Sequence, residues 1–315
     1  PRDERPCAVT WPVRNVITVE TAAYPILNAR HIGPAVVRFR VDAPRIARRW
    51  GAGQFVIVRV APGGERIPLT IASVDRDEGS IMLVVQGVGA STRAMNALRT
   101  GDVLSDVAGP LGKPTEIDLY GHVVVVGGGV GTAIAYPAAA ALAAAGNRVT
   151  AIIGGRTREL VLFEEELTDL CSEVIVTTDD GSYGRHGLVT EPLAELVNGV
   201  QGPDRVITAG PIPMMRAVAD VTRERSIPTI ASLNPIMVDG TGMCGGCRVS
   251  VGDETRFACV DGPEFDAHLV DFELLDRRNR AYRGFEDARN ADFEHRVELA
   301  TAHECRVAGR GTADV

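Results

Sequence analysis

The feature that most constrains this 315-residue chain is a glycine-rich segment, Asp239 to Cys259, that holds three of its six cysteines. Four residues separate Asp239 from Cys244, two separate Cys244 from Cys247, and eleven separate Cys247 from Cys259. This is the plant-type iron–sulfur spacing C-x4-C-x2-C…C with an aspartate in the place of the first cysteine. Three thiolates leave a two-iron cluster one ligand short, and a carboxylate would complete it. The spacing therefore predicts a [2Fe–2S] cluster held by Asp239, Cys244, Cys247 and Cys259.

Two other uses of these cysteines remain open from the sequence. A structural zinc ion accepts three thiolates and a carboxylate, although zinc ribbons usually present two C-x2-C pairs and here the second knuckle is a single cysteine. A disulfide between two of the three is disfavoured in a reducing compartment. We interpret the remaining cysteines, Cys7, Cys171 and Cys305, as free thiols.

Length and charge limit the class of protein. A chain of 315 residues is long enough for two domains with sizeable cores. Its formal net charge of −8 argues against a nucleic-acid or anionic-membrane partner. No apolar run reaches the roughly 20 residues that a membrane span needs. The first twenty residues lack the apolar core of a secretory signal, so we expect a cytoplasmic protein.

The strand pattern changes part-way along the chain. Short β-branched runs at 36–41, 54–60 and 80–85, separated by Gly and Pro, predict an antiparallel barrel. Continuous apolar strands at 123–126, 149–153, 174–177 and 205–208, alternating with helical segments, predict a parallel α/β sheet. The helix after the first of these strands is alanine-rich, and Pro137 is expected only within its first turn or so.

We therefore predict a β barrel plus an α/β domain, divided into five parts. These are an N-terminal extension (1–22), the antiparallel barrel (23–118), the parallel-sheet nucleotide-binding domain (119–231), a small C-terminal cluster module (232–282) and a charged tail (283–315) that either binds a partner or is disordered.

The barrel carries two phosphate-type motifs. Arg66 precedes an extended segment, Ile67 to Ser73, and its guanidinium can fork onto a pyrophosphate while Thr70 faces a ring system. About twenty residues later, the stretch 87–92 supplies glycines and hydroxyls at the start of a predicted helix, whose backbone N–H groups suit a diphosphate. A strand with an edge arginine and a hairpin turn is the simpler alternative for each motif alone.

The α/β domain carries a strand–glycine turn–helix motif of the kind that binds dinucleotides. Val123 to Val126 lead into Gly-Gly-Gly-Val-Gly-Thr at 127–132, with Thr132 where G-x-G-x-x-G has its third glycine. The second strand ends in Gly-Gly-Arg156, with no acidic residue for a ribose 2′-hydroxyl. Arg156 or Arg158 could bind a 2′-phosphate or simply be solvated, so the sequence does not choose between NAD(H) and NADP(H). The 179–181 and 209–211 loops follow later strands, where such sheets bind ligands.

These motifs occur in an order that resembles the ferredoxin–NADP reductase superfamily. The elements are Arg66-Ile-Pro-Leu-Thr70, the 127–132 glycine loop, Ala209-Gly-Pro211 and the Asp239–Cys259 motif with its following Val-Asp-Gly-Pro-Glu-Phe265. Within the superfamily, the chain resembles the small (alpha) subunits of NADH-dependent reduced ferredoxin:NADP oxidoreductase, also called sulfide dehydrogenase beta subunits. Dihydroorotate dehydrogenase electron-transfer subunits are close relatives, in which the first cluster ligand is normally cysteine. The resemblance covers about residues 23 to 283.

The resemblance implies FAD in the barrel, a nicotinamide cofactor on the α/β domain and [2Fe–2S] in the C-terminal module. If the binding residues of the family are transferred to the matching positions of this sequence, the residues that line FAD are Arg66, Pro68, Leu69 and Thr70. Gly89, Ser91 and Thr92 would then lie near the FAD diphosphate. The nicotinamide dinucleotide would be framed by Gly127, Gly128, Gly129, Gly131, Thr132, Asp180, Gly210 and Pro211, and the family points to NAD(H).

The implied activity is electron transfer between NAD(H), FAD and [2Fe–2S], with no catalytic side chain beyond the cofactors. The implied partner is a larger flavin and iron–sulfur subunit, in a heterodimer or larger complex for ferredoxin-linked NAD(P) transhydrogenation, with electron bifurcation as one mode. A dihydroorotate dehydrogenase electron-transfer subunit and a zinc-stabilised nucleotide-binding scaffold are the alternatives.

Overall fold

The computed structural model describes residues 24–308, with side chains described through residue 295. The predicted N-terminal extension and Cys7 lie outside the described residues, as does the side chain of Cys305. None of the described helices is long and apolar enough to cross a membrane.

The first part of the chain forms a seven-stranded sheet in the order β6-β1-β2-β5-β4-β3-β7, and every neighbouring pair is antiparallel. Its interior is filled by aliphatic and aromatic side chains, of which Phe39, Ile71 and Leu83 are fully buried. This antiparallel half-barrel confirms the predicted fold of the first part. Its elements are β1 (Tyr24–Gly33), β2 (Val36–Asp42), α1 (Pro44–Arg49), β3 (Phe55–Arg59), β4 (Arg66–Asp75), β5 (Ser80–Gln86), α2 (Ala90–Asn96), β6 (Val103–Leu104) and β7 (Asp106–Leu111).

The second sheet has the order β11-β10-β9-β8-β12-β13-β16 and is parallel except for its last pair, β13–β16. Its central strands are almost continuously buried because helices cover both faces. The predicted parallel α/β fold is thus confirmed. Its elements are β8 (His122–Gly128), α3 (Gly131–Ala144), β9 (Arg148–Gly155), α4 (Glu164–Thr168), β10 (Glu173–Thr178), β11 (Arg185–His186), α5 (Thr190–Asn198), β12 (Arg205–Ala209), α6 (Ile212–Arg223) and β13 (Thr229–Ser232).

The position of Pro137 differs from the sequence expectation. We expected this proline in the first turn of its helix, but α3 begins at Gly131 and continues past Pro137 to Ala144. Pro137 is buried, and the nearby Ala135, Ala138 and Ala139 pack into the main core of the α/β domain. The packing of this alanine-rich helix on the sheet therefore outweighs the loss of one backbone hydrogen bond.

The third part is a small module joined to the second sheet by its own strand. A hairpin of β14 (Arg248–Val251) and β15 (Glu254–Phe257) follows the glycine-rich loop, and β16 (Glu264–Asp266) then pairs antiparallel with β13. Helix α7 (Phe272–Arg280) is capped at its N-terminus by Asp271, whose carboxylate accepts a hydrogen bond from the Leu274 N–H. The loop that carries the cysteines is therefore anchored at its C-terminal side to the parallel sheet.

The last described segment is a helix, α8 (Arg283–Ala308), rather than a disordered tail. The residues after Gly284 include no proline and many good helix formers such as Ala, Glu and Arg. The helix packs against α2 of the barrel. Charge alone did not predict this structure, because charged residues occur both on solvated helices and in disordered tails.

Glu264 lies where the barrel, the parallel sheet and the cluster module meet. Its Oε1 accepts a hydrogen bond of 2.8 Å from Thr115 Oγ1, and Gly53 of the barrel leaves room for it. Part of the residue reaches solvent, but burial of the carboxyl group raises its pKa to about 7. The Thr115 hydrogen bond and the positive charge of Arg205 both lower this pKa, and their effects are smaller than that of burial. The carboxyl is therefore protonated over part of the physiological pH range.

We predict that Glu264 makes the stability of the protein fall as the pH rises. Its folded-state pKa lies above the usual value of 4.5, so its stabilising contribution is full below the unfolded pKa and is lost as the pH passes through about 7. Thermal unfolding between about pH 5 and pH 8 should show a smaller fall in Tm for Glu264→Gln than for wild type. Glu273→Gln, at an exposed position of α7, is the matched control. Parallel curves for wild type and Glu264→Gln would refute the assignment.

Candidate functional site

The glycine-rich loop is organised around the carboxylate of Asp239. Asp239 Oδ1 accepts the N–H of Thr241 at 2.9 Å, and Oδ2 accepts the N–H of Cys244 at 2.8 Å. These hydrogen bonds, led by the one from Thr241, hold the pKa of Asp239 below its ordinary value. Gly240, with φ +76°, packs so closely on Leu111 and Ile57 that a Cβ there would lie 2.6 Å from Leu111 Cδ1. Glycine is therefore required where the loop meets the barrel.

The three thiols of the module differ in burial. Cys244 is exposed, whereas Cys247 and Cys259 are buried. Burial, together with the smaller effect of the neighbouring Cys247, raises the pKa of Cys259 to about 12. Backbone N–H groups point at two of the sulfurs, from Gly246 to Cys244 Sγ at 3.5 Å and from Cys259 to Cys247 Sγ at 3.4 Å. Such N–H···S contacts tune the potential of iron–sulfur clusters.

The described residues show neither a disulfide among these cysteines nor a closed set of three or more His, Cys, Asp or Glu ligands around one metal position. Asp239 is turned toward backbone N–H groups, and Cys244 faces solvent while the other two thiols face inward. Three thiols and a carboxylate in one short glycine-rich loop nevertheless have the chemistry of a [2Fe–2S] donor set. Each Asp239 oxygen uses one lone pair for its backbone hydrogen bond, so the other remains for iron.

In the barrel, the Arg66–Thr70 stretch lies on β4, between β3 and β5. Although β4 is an inner strand, Ile67, Pro68, Leu69 and Thr70 are only partly buried, and Arg66 is exposed. The side chain of Arg66 makes no ion pair with any residue that the structure describes. An uncovered apolar stretch beside an unpaired guanidinium suits a planar ring attached to a phosphate.

The second barrel motif forms a turn at Gly89 that leads into α2. The Thr92 hydroxyl accepts the N–H groups of Val88 and Gly89, at 3.1 and 3.0 Å, and donates to the Gly89 carbonyl. The Ser91 hydroxyl donates to Oε2 of Glu65, the residue before Arg66. The structure therefore brings the two barrel motifs together.

The glycine loop of the α/β domain packs tightly against the 209–211 turn. A Cβ on Gly131 would overlap the Ala209 carbonyl oxygen, and one on Gly128 would overlap the sulfur of Met214. Gly129, with φ +55°, has no atom within 4 Å of its Cβ position, so the loop is open on that side. Gly127 packs against Thr132, whose Cα lies 2.7 Å from the position of a Gly127 Cβ.

Two buried hydroxyls in this region lack hydrogen-bond partners within the described part of the chain. They are Oγ1 of Thr132, at the start of α3, and Oγ1 of Thr208, near the end of β12. Unpaired buried polar atoms are costly and uncommon in folded proteins. Together with the open side of the glycine loop, they fit a site that binds a polar ligand such as a dinucleotide.

Asp180 lies on the loop after β10, at the same edge of the sheet. Its Oδ1 accepts the Ser182 N–H at 2.9 Å, and hydrogen bonds from Ser182 lower the pKa of Asp180. The Ser182 hydroxyl accepts the N–H of Arg158, whose guanidinium lies 5.0 Å from the centre of the Tyr183 ring. Arg158 is thus engaged with its own loop, whereas Arg156 is exposed at the end of β9.

Elements next to each of the three predicted sites pack together in one apolar cluster. It contains Phe55 and Ile57 of β3, Ile212 and Met215 of α6, and the two buried thiols of the cluster module. Phe55 pairs with Thr70 in the β3–β4 ladder, so the predicted flavin strand lies next to the strand that packs on the module. Helix α6 begins directly after the Gly210-Pro211 turn.

Phe55 and Met214 are residues that sequence reasoning missed. Phe55 belongs to an ordinary apolar strand, and nothing in its sequence context distinguishes it from other core residues. Met214 fills the space between Gly128 and Gly210, but a lone methionine in a helix carries no recognisable signal. The absence of side chains at those two glycines was the one sign that a neighbour approaches closely.

Comparison with known proteins supports this architecture. A family model described as the iron–sulfur cluster binding domain of dihydroorotate dehydrogenase B matches residues 234–271. A dihydroorotate dehydrogenase B (NAD(+)) electron transfer subunit homolog from Thermotoga maritima is 43% identical over 263 residues, covering 84% of this chain and 93% of the relative. The chain belongs to the dihydroorotate dehydrogenase B electron-transfer subunit family.

Another member of this family, the electron transfer subunit from Geobacillus thermodenitrificans, is 32% identical over 254 residues, covering 78% of this chain and 96% of the relative. A chain of the NADH-dependent reduced ferredoxin-NADP oxidoreductase, whose structure was described in relation to flavin-based electron bifurcation, superposes with a TM-score of 0.82. It is 42% identical, with 87% of this chain and 98% of that chain covered. Phthalate dioxygenase reductase shares the fold at 18% identity and a TM-score of 0.53.

We predict that Gly131→Ala destabilises the α/β domain of this family member. The new Cβ would overlap backbone atoms of Ala209 and Gly210, which cannot move without shifting the β12–α6 turn. Overpacking of this kind typically costs about 1–3 kcal/mol in free energy of unfolding. Chemical denaturation measures the change. Gly284→Ala, where no atom lies within 4 Å of the Cβ position, is the control. Equal stabilities of the Gly131→Ala variant and wild type would contradict the observed packing.

Proposed function

We propose that this chain is the electron-transfer subunit of an oxidoreductase complex and passes electrons between NAD(H), FAD and a [2Fe–2S] cluster. The observation that carries the proposal is the shared apolar cluster around Phe55. It joins the strand beside Thr70, the helix after Gly210 and the buried Cys247 and Cys259 in one water-excluding contact. Electron transfer among three cofactors requires such proximity, whereas a zinc-stabilised scaffold has no need of it.

The FAD site is proposed at the exposed face of β4 and the turn before α2. Arg66, Pro68, Leu69 and Thr70 would hold the ring system and its phosphates, with Gly89, Ser91 and Thr92 beside the diphosphate. When bound, the flavin would supply the conversion between two-electron hydride transfer and one-electron transfer. The contribution of the protein is to orient the ring against β4 and to keep water out on the Phe55 side.

The nicotinamide site is proposed at the glycine loop of β8 and the turns after β10 and β12. Gly127, Gly128, Gly129 and Gly131 would allow close approach of the dinucleotide, with Thr132 as a hydroxyl donor. Asp180, Gly210 and Pro211 would frame the remainder. The unpaired Oγ1 of Thr132 supports this assignment, because a polar ligand would satisfy it. NAD(H) is the proposed cofactor by family resemblance.

The cluster ligands are proposed to be Asp239, Cys244, Cys247 and Cys259. The module that holds them is proposed as residues 232–282, after a barrel domain at 23–118 and an α/β domain at 119–231. Cys247 and Cys259 lie in the apolar cluster that includes Phe55 and Ile57 of β3, while Cys244 is exposed. The cluster would thus connect the flavin side of the protein with its outer surface, where a partner can approach.

We propose that this partner is a larger flavin and iron–sulfur subunit, in ferredoxin-linked NAD(P) transhydrogenation that includes electron bifurcation. The high similarity to a chain of the NADH-dependent reduced ferredoxin-NADP oxidoreductase, and Asp239 in the first ligand position, support this choice. The second candidate function is that of an electron-transfer subunit of a dihydroorotate dehydrogenase. The family model and the names of several relatives favour it.

We predict that Asp239→Cys retains the cluster but shifts its midpoint potential, because a thiolate is a softer and more covalent ligand for iron than a carboxylate. Asp239→Ala, which removes the ligand, should lose iron. Iron content and a redox titration followed by electron paramagnetic resonance measure both effects. Asp253→Cys, at an exposed position of the β14–β15 turn, is the matched control. A titration of Asp239→Cys that overlays wild type would show that Asp239 does not bind iron.

The choice of partner is tested by anaerobic purification of the chain from its native cell, followed by mass spectrometry of the proteins that accompany it. We expect a larger flavoprotein with additional iron–sulfur motifs. Recovery of a dihydroorotate dehydrogenase instead would establish the second candidate. Recovery of the chain without a partner would contradict both assignments and favour a free-standing NADH-linked reductase.

A further inference from the structure

The C-terminal helix α8 returns to the barrel at the two motifs proposed to hold FAD. It packs against α2, where Arg93 Nη1 lies 2.5 Å from Glu294 Oε1. Five residues earlier on the helix, Arg289 Nε lies 3.5 Å from Glu65 Oε1. Asn290 Oδ1 lies 3.9 Å from the position that a Cβ would take at Gly89. The helix therefore covers the turn at Gly89 and Ser91 from outside.

The carboxylate of Glu65 is held from both sides of this contact. The Ser91 hydroxyl donates to its Oε2, and the Arg289 guanidinium approaches its Oε1. A hydroxyl and a guanidinium that converge on one carboxylate are the donors that a phosphate group would also use. The exposed guanidinium of Arg66, the next residue in the chain, adds a second cationic donor at the same corner of the barrel.

Asn290 gives a second, independent observation. Its Oδ1 is buried yet has no hydrogen-bond partner within the described residues. An unsatisfied buried amide oxygen is costly, so a partner from outside the chain is expected. FAD offers both hydrogen-bond donors and acceptors to this amide. Its ribityl and ribose hydroxyls can donate to Oδ1, and its phosphate oxygens can accept from Nδ2 if the side-chain amide is flipped.

We propose that α8 is part of the FAD site and supplies Arg289 and Asn290 to the diphosphate and its adjoining hydroxyls. When FAD binds, Glu65 releases Ser91 and Arg289 to the phosphate, and the helix closes the outer side of the cofactor. This inference rests on the proposed function, because it requires FAD in the barrel. It assigns a binding role to the segment that the sequence indicated only as a charged tail.

The test is the affinity of the full chain for FAD, measured by quenching of flavin fluorescence after removal of the bound cofactor. Arg289→Gln and Asn290→Ala should each raise the Kd about tenfold, which corresponds to about 1.4 kcal/mol. Alanine is a better helix former than asparagine, so a loss of affinity in Asn290→Ala would not come from a weakened helix. Glu65→Gln should lower the Kd, because it removes the anion that competes with the phosphate.

Ala288→Gln is the matched control, since residue 288 is exposed and lies about 200° around the helix from Asn290. Its Kd should equal that of wild type. Wild-type affinity in both Arg289→Gln and Asn290→Ala would overturn the role of α8 while leaving FAD binding intact. The role of α8 would also be overturned if Ala288→Gln lost as much affinity for FAD as the two variants, or if Glu65→Gln had a higher Kd than wild type. Failure of the wild-type chain itself to bind FAD would overturn the proposed function together with this inference.

Discussion

The packing of the cysteine module against strand β3 is the contact on which the rest of the structure depends. Phe55 and Ile57 of this strand share a buried cluster with Cys247 and Cys259, and the same cluster contains Ile212 at the start of α6. Apolar burial at this point fixes three units in one arrangement. Because each unit carries one candidate cofactor site, the contact that stabilises the fold also sets the distances over which electrons would pass.

The module is attached at a second point, through a strand rather than through side chains alone. Strand β16 continues the parallel sheet by pairing with β13. Glu264 of this strand also reaches the barrel through Thr115. Two attachments on different units restrict hinge motion of the module. The exposed Cys244 and the loop around it are thereby presented to solvent on a rigid base, as contact with a partner protein requires.

Much of this arrangement could be predicted from the sequence. The change from short β-branched runs to continuous apolar strands indicated the two sheets. Strands of a sheet buried on both faces are apolar throughout, whereas strands buried on one face alternate between apolar and polar residues. The cysteine spacing indicated the module for a similar reason, since ligand geometry imposes fixed intervals along the chain. The glycines at 127–131 indicated a turn that excludes side chains, and the structure shows close packing at Gly128 and Gly131.

Other features could not be predicted, because they depend on contacts between residues distant in sequence. Phe55 gains its role only through the module that packs on it, about 190 residues later. Pro137 is tolerated well inside α3 because of packing that no local rule describes. The docking of α8 on the barrel rests on individual pairs such as Arg93 and Glu294, which are indistinguishable in the sequence from solvated surface charges.

The central claim is that NADH, a flavin and a [2Fe–2S] cluster communicate within this one chain. An anaerobic titration of the purified, cofactor-containing protein with NADH tests it most directly, with flavin absorbance and the electron paramagnetic resonance spectrum recorded together. The account predicts that the flavin bleaches and that the signal of a reduced two-iron cluster appears in proportion to the protein. A colourless protein that contains zinc, or a flavin that bleaches without any such signal, would contradict it.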